Sequence, residues 1–120
     1  MRPRILIADD EPTIRKLLKL EFERAAFLVD LANDGNMALT LLQNVRYDAA
    51  VLDISMPVCD GLQVLRAIRQ QGLPMIVVMM TAYGSIDGAV TAMKMQADDY
   101  ITKPFDPPDL VEKVEQIRRV

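Results

Sequence analysis

A chain of 120 residues with 51% hydrophobic and 26% charged residues fits a single globular domain, residues 1–120, and these fractions exclude a disordered chain. Its 14 basic and 17 acidic residues give a net charge of -3, which argues against direct binding of DNA or RNA. With one cysteine, no leader-like start and no apolar run near the roughly 20 residues of a membrane span, we expect a soluble cytoplasmic protein.

Short apolar segments that predict β-strands alternate along the chain with segments of helical hydrophobic period. The predicted strands are Arg4 to Ala8, Phe27 to Leu31, Asp48 to Leu52, Met75 to Met80 and Asp98 to Ile101. Three of these strands are apolar on both faces, as expected where helices cover both sides of a parallel sheet. The alternation therefore predicts an α/β fold with a single doubly wound, five-stranded parallel sheet and five helices.

The predicted helices differ in the strength of their apolar pattern. The first has an apolar stripe of Ile14, Leu17, Leu18 and Phe22, and the fourth has one of Ile86, Ala89, Val90 and Met93. The second and third are weaker and cover roughly Asn36 to Val45 and Leu62 to Gln70. The last begins at Pro107, with Asp106 as its N-cap and a stripe of Leu110, Val111, Val114 and Ile117.

Polar side chains follow four of the five predicted strands. Asp9 and Asp10 follow the first strand, Asp53 follows the third, Thr81 follows the fourth, and Lys103 comes shortly after the fifth. Because ligands bind to such sheets at the carboxyl ends of the strands, we expect these groups on one functional edge. Each alone has a simpler explanation, as a cap of the first helix, a turn residue, a strand-end hydroxyl or a solvated lysine. Their joint placement favours a site.

Three carboxylates on one edge require a compensating cation. Two unit charges about 4 Å apart repel by roughly 4 kcal/mol at an effective dielectric constant near 20. Carboxylate oxygens suit Mg²⁺, and Lys103 could pair with Asp53 at rest. A carboxylate beside Mg²⁺ and a lysine is equipped to attack phosphorus and form an aspartyl phosphate. Since the chain contains no histidine, the phosphoryl donor would be another molecule.

Four sequence blocks occur in order at the ends of strands one, three, four and five: ILIADDE, VLDISMPVCDG, VVMMTAYGS and DDYITKPF. They resemble the motif blocks of response-regulator receiver domains of two-component signalling, and the resemblance runs nearly end to end. It implies a flavodoxin-like sheet with strand order 2-1-3-4-5. In that order strands one and three are neighbours, so the three carboxylates would converge.

The resemblance also implies a role for each residue around the acceptor. Asp53 would accept the phosphoryl group. Asp10 and Asp53 would bind Mg²⁺ directly, Asp9 would help through water, and Ser55 would contribute its backbone carbonyl. Ser55 and Tyr83 lie at places that tune the lifetime of the phosphoryl group across the family.

Other positions that match the family concern the switch. Thr81 would be the hydroxyl that moves toward the phosphoryl group, and Tyr100 the aromatic residue that follows it inward. Lys103 would stabilise the phosphoryl charge, and its bond to Pro104 would be cis. Gln96 stands where the family usually has glycine, so the end of the fourth helix is not predicted.

The resemblance implies a two-component response regulator that takes its phosphoryl group from a sensor histidine kinase or a phosphotransfer protein. Phosphorylation would switch a face formed by the fourth helix, fifth strand and last helix, around Ala89, Met93 and Tyr100. That face would control an output domain beyond residue 120, a separate effector or a homodimer. The run TAYGSIDGAVTAMKMQADDYITKPFD resembles receivers of enhancer-dependent transcription activators, and a stand-alone phosphorelay intermediate is the alternative.

Three other functions are less consistent with the sequence. A small Mg²⁺-dependent phosphatase would carry an Asp-x-Asp pattern near its N-terminus, whereas Asp9 and Asp10 are adjacent. A flavin-binding module would need a phosphate-cradling loop, and the segment ADDEPT is acidic. A degenerate receiver acting only through protein contacts would lack part of the chemistry, yet every group is present. We therefore expect no enzyme activity beyond the domain's own phosphorylation and dephosphorylation.

Overall fold

The structure, a computed structural model, describes residues 2–82 and 85–119, so Tyr83 lies outside the described residues. Strands and helices alternate throughout. The strands are β1 (Arg4–Ala8), β2 (Leu28–Ala32), β3 (Ala49–Asp53), β4 (Ile76–Thr81) and β5 (Asp99–Thr102). The helices are α1 (Pro12–Arg24), α2 (Gly35–Asn44), α3 (Gly61–Gln70), α4 (Ile86–Lys94) and α5 (Pro107–Arg119). None of these helices is long and apolar enough to cross a membrane.

The five strands form one parallel sheet in the order β2-β1-β3-β4-β5, which confirms the predicted fold. Ala8 pairs with Leu52, Asp53 with Met80, and Thr81 with Thr102. The carboxyl ends of β1, β3, β4 and β5 therefore share one edge.

Each strand after the first begins and ends one residue later than predicted. At the start, Phe27 and Met75 are buried but precede the strands, so their apolar character misplaced the boundary. At the other end, Asp53 and Thr81 are polar, yet their backbones still pair with neighbouring strands. Hydropathy reports on side chains, whereas the strand boundary is set by backbone hydrogen bonds.

The sheet is packed on both faces. One apolar cluster contains Leu52 and Met79 and receives side chains from α2, α3 and α4. The other contains Val51 and Met80 and receives side chains from α1 and α5. Because neighbouring residues of a strand point to opposite faces, all five residues of β3 are buried.

Of the four residues predicted to form the buried stripe of α4, Ala89 alone is buried. Ile86, Val90 and Met93 are 74%, 46% and 43% exposed, whereas Ala89 and Ala92 pack inward. In α1 the predicted core residue Leu17 is likewise 48% exposed. The spacing of large apolar residues was therefore misleading, because the small side chains of α4 make its contact with the sheet and leave an apolar outer surface.

The end of α4 is a Schellman motif without glycine. The Gln96 N–H donates to Met93 O at 3.1 Å and the Ala97 N–H donates to Ala92 O at 3.0 Å. Gln96 has a φ of 72°, the left-handed region that favours glycine. The residue that departs from the family pattern thus ends the helix in the conformation that glycine would adopt.

Arg69, in the last turn of α3, joins this motif to the sheet. Its Nε donates to Gln96 O, its Nη1 to Met75 O and its Nη2 to Asp98 Oδ2, each at 2.9 Å. Asp98 Oδ2 also accepts the Val77 N–H at 2.7 Å. The carboxyl end of α4 and the start of β5 are therefore tied to α3 and β4.

Replacing Gln96 by glycine is expected to raise the free energy of unfolding by about 0.5 to 1 kcal/mol, because a side chain in the left-handed region carries a steric cost. The Arg69 contact to the backbone carbonyl of Gln96 is retained. Urea unfolding would measure the change, with Gln70→Gly as control. Gln70 is an exposed residue in helical conformation, so that control should lose about 1 kcal/mol. A loss of stability in both variants would contradict the prediction.

Candidate functional site

The three predicted carboxylates meet at the carboxyl edge of β1 and β3. Asp9 and Asp10 follow β1, and Asp53 is the last residue of β3. One carboxylate oxygen from each lies within 4.8 Å of the others. Asp9 and Asp53 are buried, whereas Asp10 is exposed. The predicted convergence is confirmed, with one carboxylate open to solvent.

Hydrogen bonds hold both the backbone and the side chain of Asp9 in place. Its N–H donates to Ala32 O at 3.1 Å, and its Oδ1 accepts the Glu11 N–H at 2.9 Å. Its Oδ2 accepts from Lys103 Nζ at 2.7 Å, and its backbone carbonyl accepts from Arg15 Nη1 at 2.7 Å. Asp9, whose carboxylate is wholly buried, is thus tied to β2 and α1 through its backbone and to the loop after β5 through its side chain.

The alternative that Asp9 or Asp10 caps α1 is wrong. Glu11 occupies the N-cap position and makes no side-chain capping bond, and Pro12 is the first helical residue as predicted. The Asp9 carboxylate bonds to Glu11 N, which precedes the helix. Its other oxygen faces Lys103, so Asp9 belongs to the site.

Asp53 presents its two carboxylate oxygens to different donors. Oδ1 accepts the Ser55 N–H at 3.1 Å, and Oδ2 accepts from Lys103 Nζ at 3.2 Å. Ser55 therefore reaches the site through its backbone amide, at the start of the loop between β3 and α3. Its role as a carbonyl ligand stays a prediction.

Lys103 Nζ lies among three acidic side chains. It is 2.7 Å from Asp9, 3.2 Å from Asp53 and 3.9 Å from Glu11. The predicted pairing with Asp53 is present, but the shortest contact is to Asp9. A single ammonium thus spans both buried carboxylates, and it can lose one contact while keeping the other.

The backbone around Lys103 connects this site to β4. The Lys103 N–H donates to Thr81 O at 2.7 Å, and the Lys103–Pro104 peptide bond is cis as predicted. Thr81 is buried at the strand end. It lines a cavity of about 490 Å³ together with Met93 and Tyr100, and Tyr100 is 40% exposed. The predicted switch residues thus share one surface cavity beside the acidic site.

The burial and crowding of the carboxylates change their acidity. Burial, and secondly the charge of Asp9, raise the pKa of Asp53 from 3.8 to about 6, although Lys103 and the Ser55 N–H oppose this shift. Burial disfavours the charged form of Lys103, but the hydrogen bond to Asp9 and the charges of Asp53 and Asp9 outweigh it. The pKa of Lys103 is therefore raised above its ordinary value. Near neutral pH, Asp53 is mostly an anion and Lys103 a cation.

The donor set fits a hard divalent cation. The carboxylates of Asp9, Asp10 and Asp53 converge, and Lys103 contacts two of them, so negative charge is in excess there. Oxygen donors at this spacing, one of them solvent-exposed, are the ligands that Mg²⁺ prefers, together with water. The residues present therefore suit the predicted metal.

Two contacts of the site were not predicted from the sequence. Arg15 contacts the carbonyl of Asp9, and Glu11 approaches Lys103. The helical period of α1 shows which residues lie outside the core, but it does not show that the Arg15 side chain contacts the end of β1. For Glu11 the available signal was its place in the acidic run that follows β1.

The fold and the site define an α/β module of flavodoxin topology with an acidic, lysine-containing site at the carboxyl edge of its sheet. The family model of the response regulator receiver domain matches residues 5–115, and the chain belongs to this family. It is a receiver domain of a two-component response regulator and not a conventional enzyme.

Its relatives include transcriptional regulators. The alkaline phosphatase synthesis transcriptional regulatory protein PhoP of Bacillus subtilis is 38% identical over 119 residues, which cover 99% of this chain and 50% of PhoP. Regulatory protein AtoC of Escherichia coli is 39% identical over 107 residues, which cover 89% of this chain and 23% of AtoC. The receiver domain of the Francisella response regulator 1452 superposes with a TM-score of 0.91 at 33% identity, covering 98% of both chains. The chain thus spans half or less of the length of these two curated relatives.

Proposed function

We propose that the chain accepts a phosphoryl group on Asp53 from the phosphohistidine of a sensor histidine kinase or a phosphotransfer protein. The observation that carries the proposal is the environment of the Asp53 carboxylate. It is buried, bonded to Lys103 and to the Ser55 amide, and close to the oxygens of Asp9 and Asp10. A carboxylate so placed, beside a cation and an oxygen-rich metal site, is suited to attack phosphorus.

In the transfer step, an Asp53 oxygen forms a bond to phosphorus while the phosphorus–nitrogen bond of the donor breaks. The departing imidazole keeps the electron pair of that bond. The pKa of about 6 leaves Asp53 predominantly ionised near neutral pH, so the nucleophile needs no separate base. Lys103 can turn from Asp53 to a phosphoryl oxygen while its contact to Asp9 remains.

Mg²⁺ is the metal we assign to this site. Asp10 and Asp53 would bind it directly, Asp9 would act through water, and Ser55 would contribute its carbonyl. When bound, Mg²⁺ would neutralise charge on the carboxylates and on the phosphoryl oxygens. The chain's part is to hold the carboxylates together and to keep Lys103 beside them.

Phosphorylation would then act on Thr81 and on the cavity beside it. The phosphoryl group adds roughly 1.5 to 2 negative charges and new acceptor oxygens, which would attract the Thr81 hydroxyl. Tyr100 would follow inward from its exposed position, and α4 would move with it. The result would be a population shift between two arrangements of α4, β5 and α5. Ala89 and Met93 of α4 belong to the surface that would change.

The output of this switch is proposed to be transcriptional. The identity to PhoP and AtoC supports control of an output domain beyond residue 120, and the run from Thr81 to Asp106 favours an enhancer-dependent activator. The apolar outer surface of α4 and the exposed Tyr100 would serve either contact with an effector or a homodimer. A stand-alone phosphorelay intermediate would use the same chemistry.

Intact-mass measurement after incubation with Mg²⁺ and acetyl phosphate would test the proposal. We expect the wild type to gain one phosphoryl group, and Asp53→Asn or added chelator to abolish the gain. Asp109→Asn, which neutralises an exposed carboxylate on α5, should be labelled like the wild type. No gain in the wild type would favour a degenerate receiver, and a gain that persists in Asp53→Asn would show that another residue is the acceptor.

A further inference from the structure

We propose that Arg15 is a positioning residue of the metal site, which orients Asp10 through the peptide that joins Asp9 to Asp10. This inference rests on the proposed function, because it concerns the same Mg²⁺ site. Arg15 lies in α1, and its Nη1 donates to Asp9 O at 2.7 Å in a partly buried contact. At that length, a hydrogen bond from a cationic donor is among the strong ones in proteins.

The carbonyl of Asp9 is the atom through which α1 controls the next residue. The N–H and both carboxylate oxygens of Asp9 are bonded to Ala32, Glu11 and Lys103, so Asp9 itself is well fixed without Arg15. Arg15 holds the remaining polar atom of Asp9, its carbonyl oxygen, which belongs to the peptide that leads to Asp10. Because a peptide unit is planar, holding its oxygen also sets the direction of the N and Cα atoms of Asp10.

Asp10 is the carboxylate for which such control matters most. Asp9 and Asp53 are buried and hydrogen-bonded, whereas Asp10 is exposed. Groups that orient metal ligands without touching the metal typically contribute about 10- to 100-fold in metal affinity. Since Arg15 acts on a backbone atom beside the ligand, we expect an effect near 10-fold, at the lower end of that range.

The direction of the effect separates positioning from simple electrostatics. The guanidinium of Arg15 is positive and lies close to the acidic site, so its charge alone would oppose binding of Mg²⁺. A purely electrostatic role predicts tighter binding when Arg15 is removed. A positioning role predicts weaker binding, even when a positive charge is kept.

The test is the Mg²⁺ dissociation constant of the whole chain, measured from the change in amide chemical shifts on addition of Mg²⁺. It is measured for the wild type and for the variants Arg15→Met, Arg15→Lys and Lys19→Met. Lysine keeps the charge but replaces the planar fork by a shorter point donor, so both Arg15 variants should bind Mg²⁺ about 10-fold more weakly. Lys19 is an exposed cation on the same helix, and its variant should bind at least as tightly as the wild type. At saturating Mg²⁺, labelling of Asp53 by acetyl phosphate should return toward the wild-type rate.

The possible failures are distinguishable. If the wild type binds Mg²⁺ and both Arg15 variants bind it equally well or more tightly, the positioning role is overturned while the proposed function stands. If the wild type binds no Mg²⁺, the proposed function fails as well. Should Arg15→Met not fold, Arg15→Lys decides the question alone, because weaker binding with the charge retained supports positioning and unchanged binding overturns it.

Discussion

Replacing Gly61 by alanine is expected to lower the free energy of unfolding by about 3 kcal/mol or more, since it forces a methyl group into a packed backbone contact. A Cβ atom at Gly61 would collide with the carbonyl oxygen of Asp53 and would lie 2.8 Å from its carbonyl carbon and 3.1 Å from Ile54 Cα. All three are backbone atoms at or just after the end of β3, so relief requires moving the backbone of Asp53, the proposed acceptor residue. Phosphoryl labelling of Asp53 should therefore fall together with stability.

Gly88→Ala is the matched control for this substitution. A Cβ atom there would meet Ser85 Oγ at 3.1 Å and Ile54 Cδ1 at 3.4 Å, both of which belong to side chains that can rotate. Because alanine favours the helix over glycine by up to about 1 kcal/mol, this variant should be neutral or stabilised. Urea unfolding measures the free energy of unfolding of the two variants. Equal values would show that the backbone near Gly61 can move to accommodate the methyl group.

Replacing Asp53 by asparagine is expected to raise the free energy of unfolding by about 2 to 3 kcal/mol near neutral pH without divalent metal. Burial and the charge of Asp9 raise the pKa of Asp53 to about 6, so the ionised carboxylate destabilises the folded state. Asparagine removes the charge and keeps an oxygen for the Ser55 N–H. The same variant that is expected to block phosphorylation should thus be the more stable protein.

The gain should depend on pH in a defined direction. The pKa of Asp53 is higher in the folded state than its ordinary value of 3.8, so the folded protein holds this proton more tightly than the unfolded chain. The wild type is consequently stabilised by protonation below pH 3.8, and this stabilisation is lost as the pH rises through about 6. Asp53→Asn should therefore match the wild type at low pH and exceed it above pH 6.

Denaturant midpoints across this pH range measure the difference, with Asp109→Asn as an exposed control that should show little change. Added Mg²⁺ should reduce the gap, because it binds the folded wild type and stabilises it by mass action. A gap that is constant with pH would mean that the variant acts through packing and not through charge.

The sequence was sufficient for the fold and for the central acidic site. Strands that are apolar on both faces indicate a sheet covered by helices, and polar residues at four strand ends indicate one functional edge. The convergence of Asp9, Asp10 and Asp53 needed the strand order, which came from the family resemblance. Hydrophobic periodicity alone would not have placed β1 beside β3.

The features that were missed depend on contacts between segments distant in sequence. Arg15 donates to the carbonyl of Asp9, and Arg69 donates to the carbonyl of Gln96. Every residue has a backbone carbonyl, so the sequence pattern does not indicate which one accepts such a bond. In α4 the contacting side chains are alanines, whereas the large apolar residues Ile86, Val90 and Met93 lie on the exposed face, so hydrophobic periodicity did not separate the two faces. Long-range hydrogen bonds and the packing of small side chains were the information that required the structure.

The two ends of α4 are attached to the rest of the domain in different ways. At its carboxyl end, Arg69 and the Schellman motif fasten the helix to α3 and to the sheet. At its amino end, Ser85 makes no side-chain capping bond, and only Ala89 and Ala92 are buried along the helix. Small side chains bury little apolar area, so lifting the helix exposes little surface to water. The carboxyl end of α4 is therefore fastened by specific hydrogen bonds, whereas little apolar burial opposes displacement of the rest of the helix.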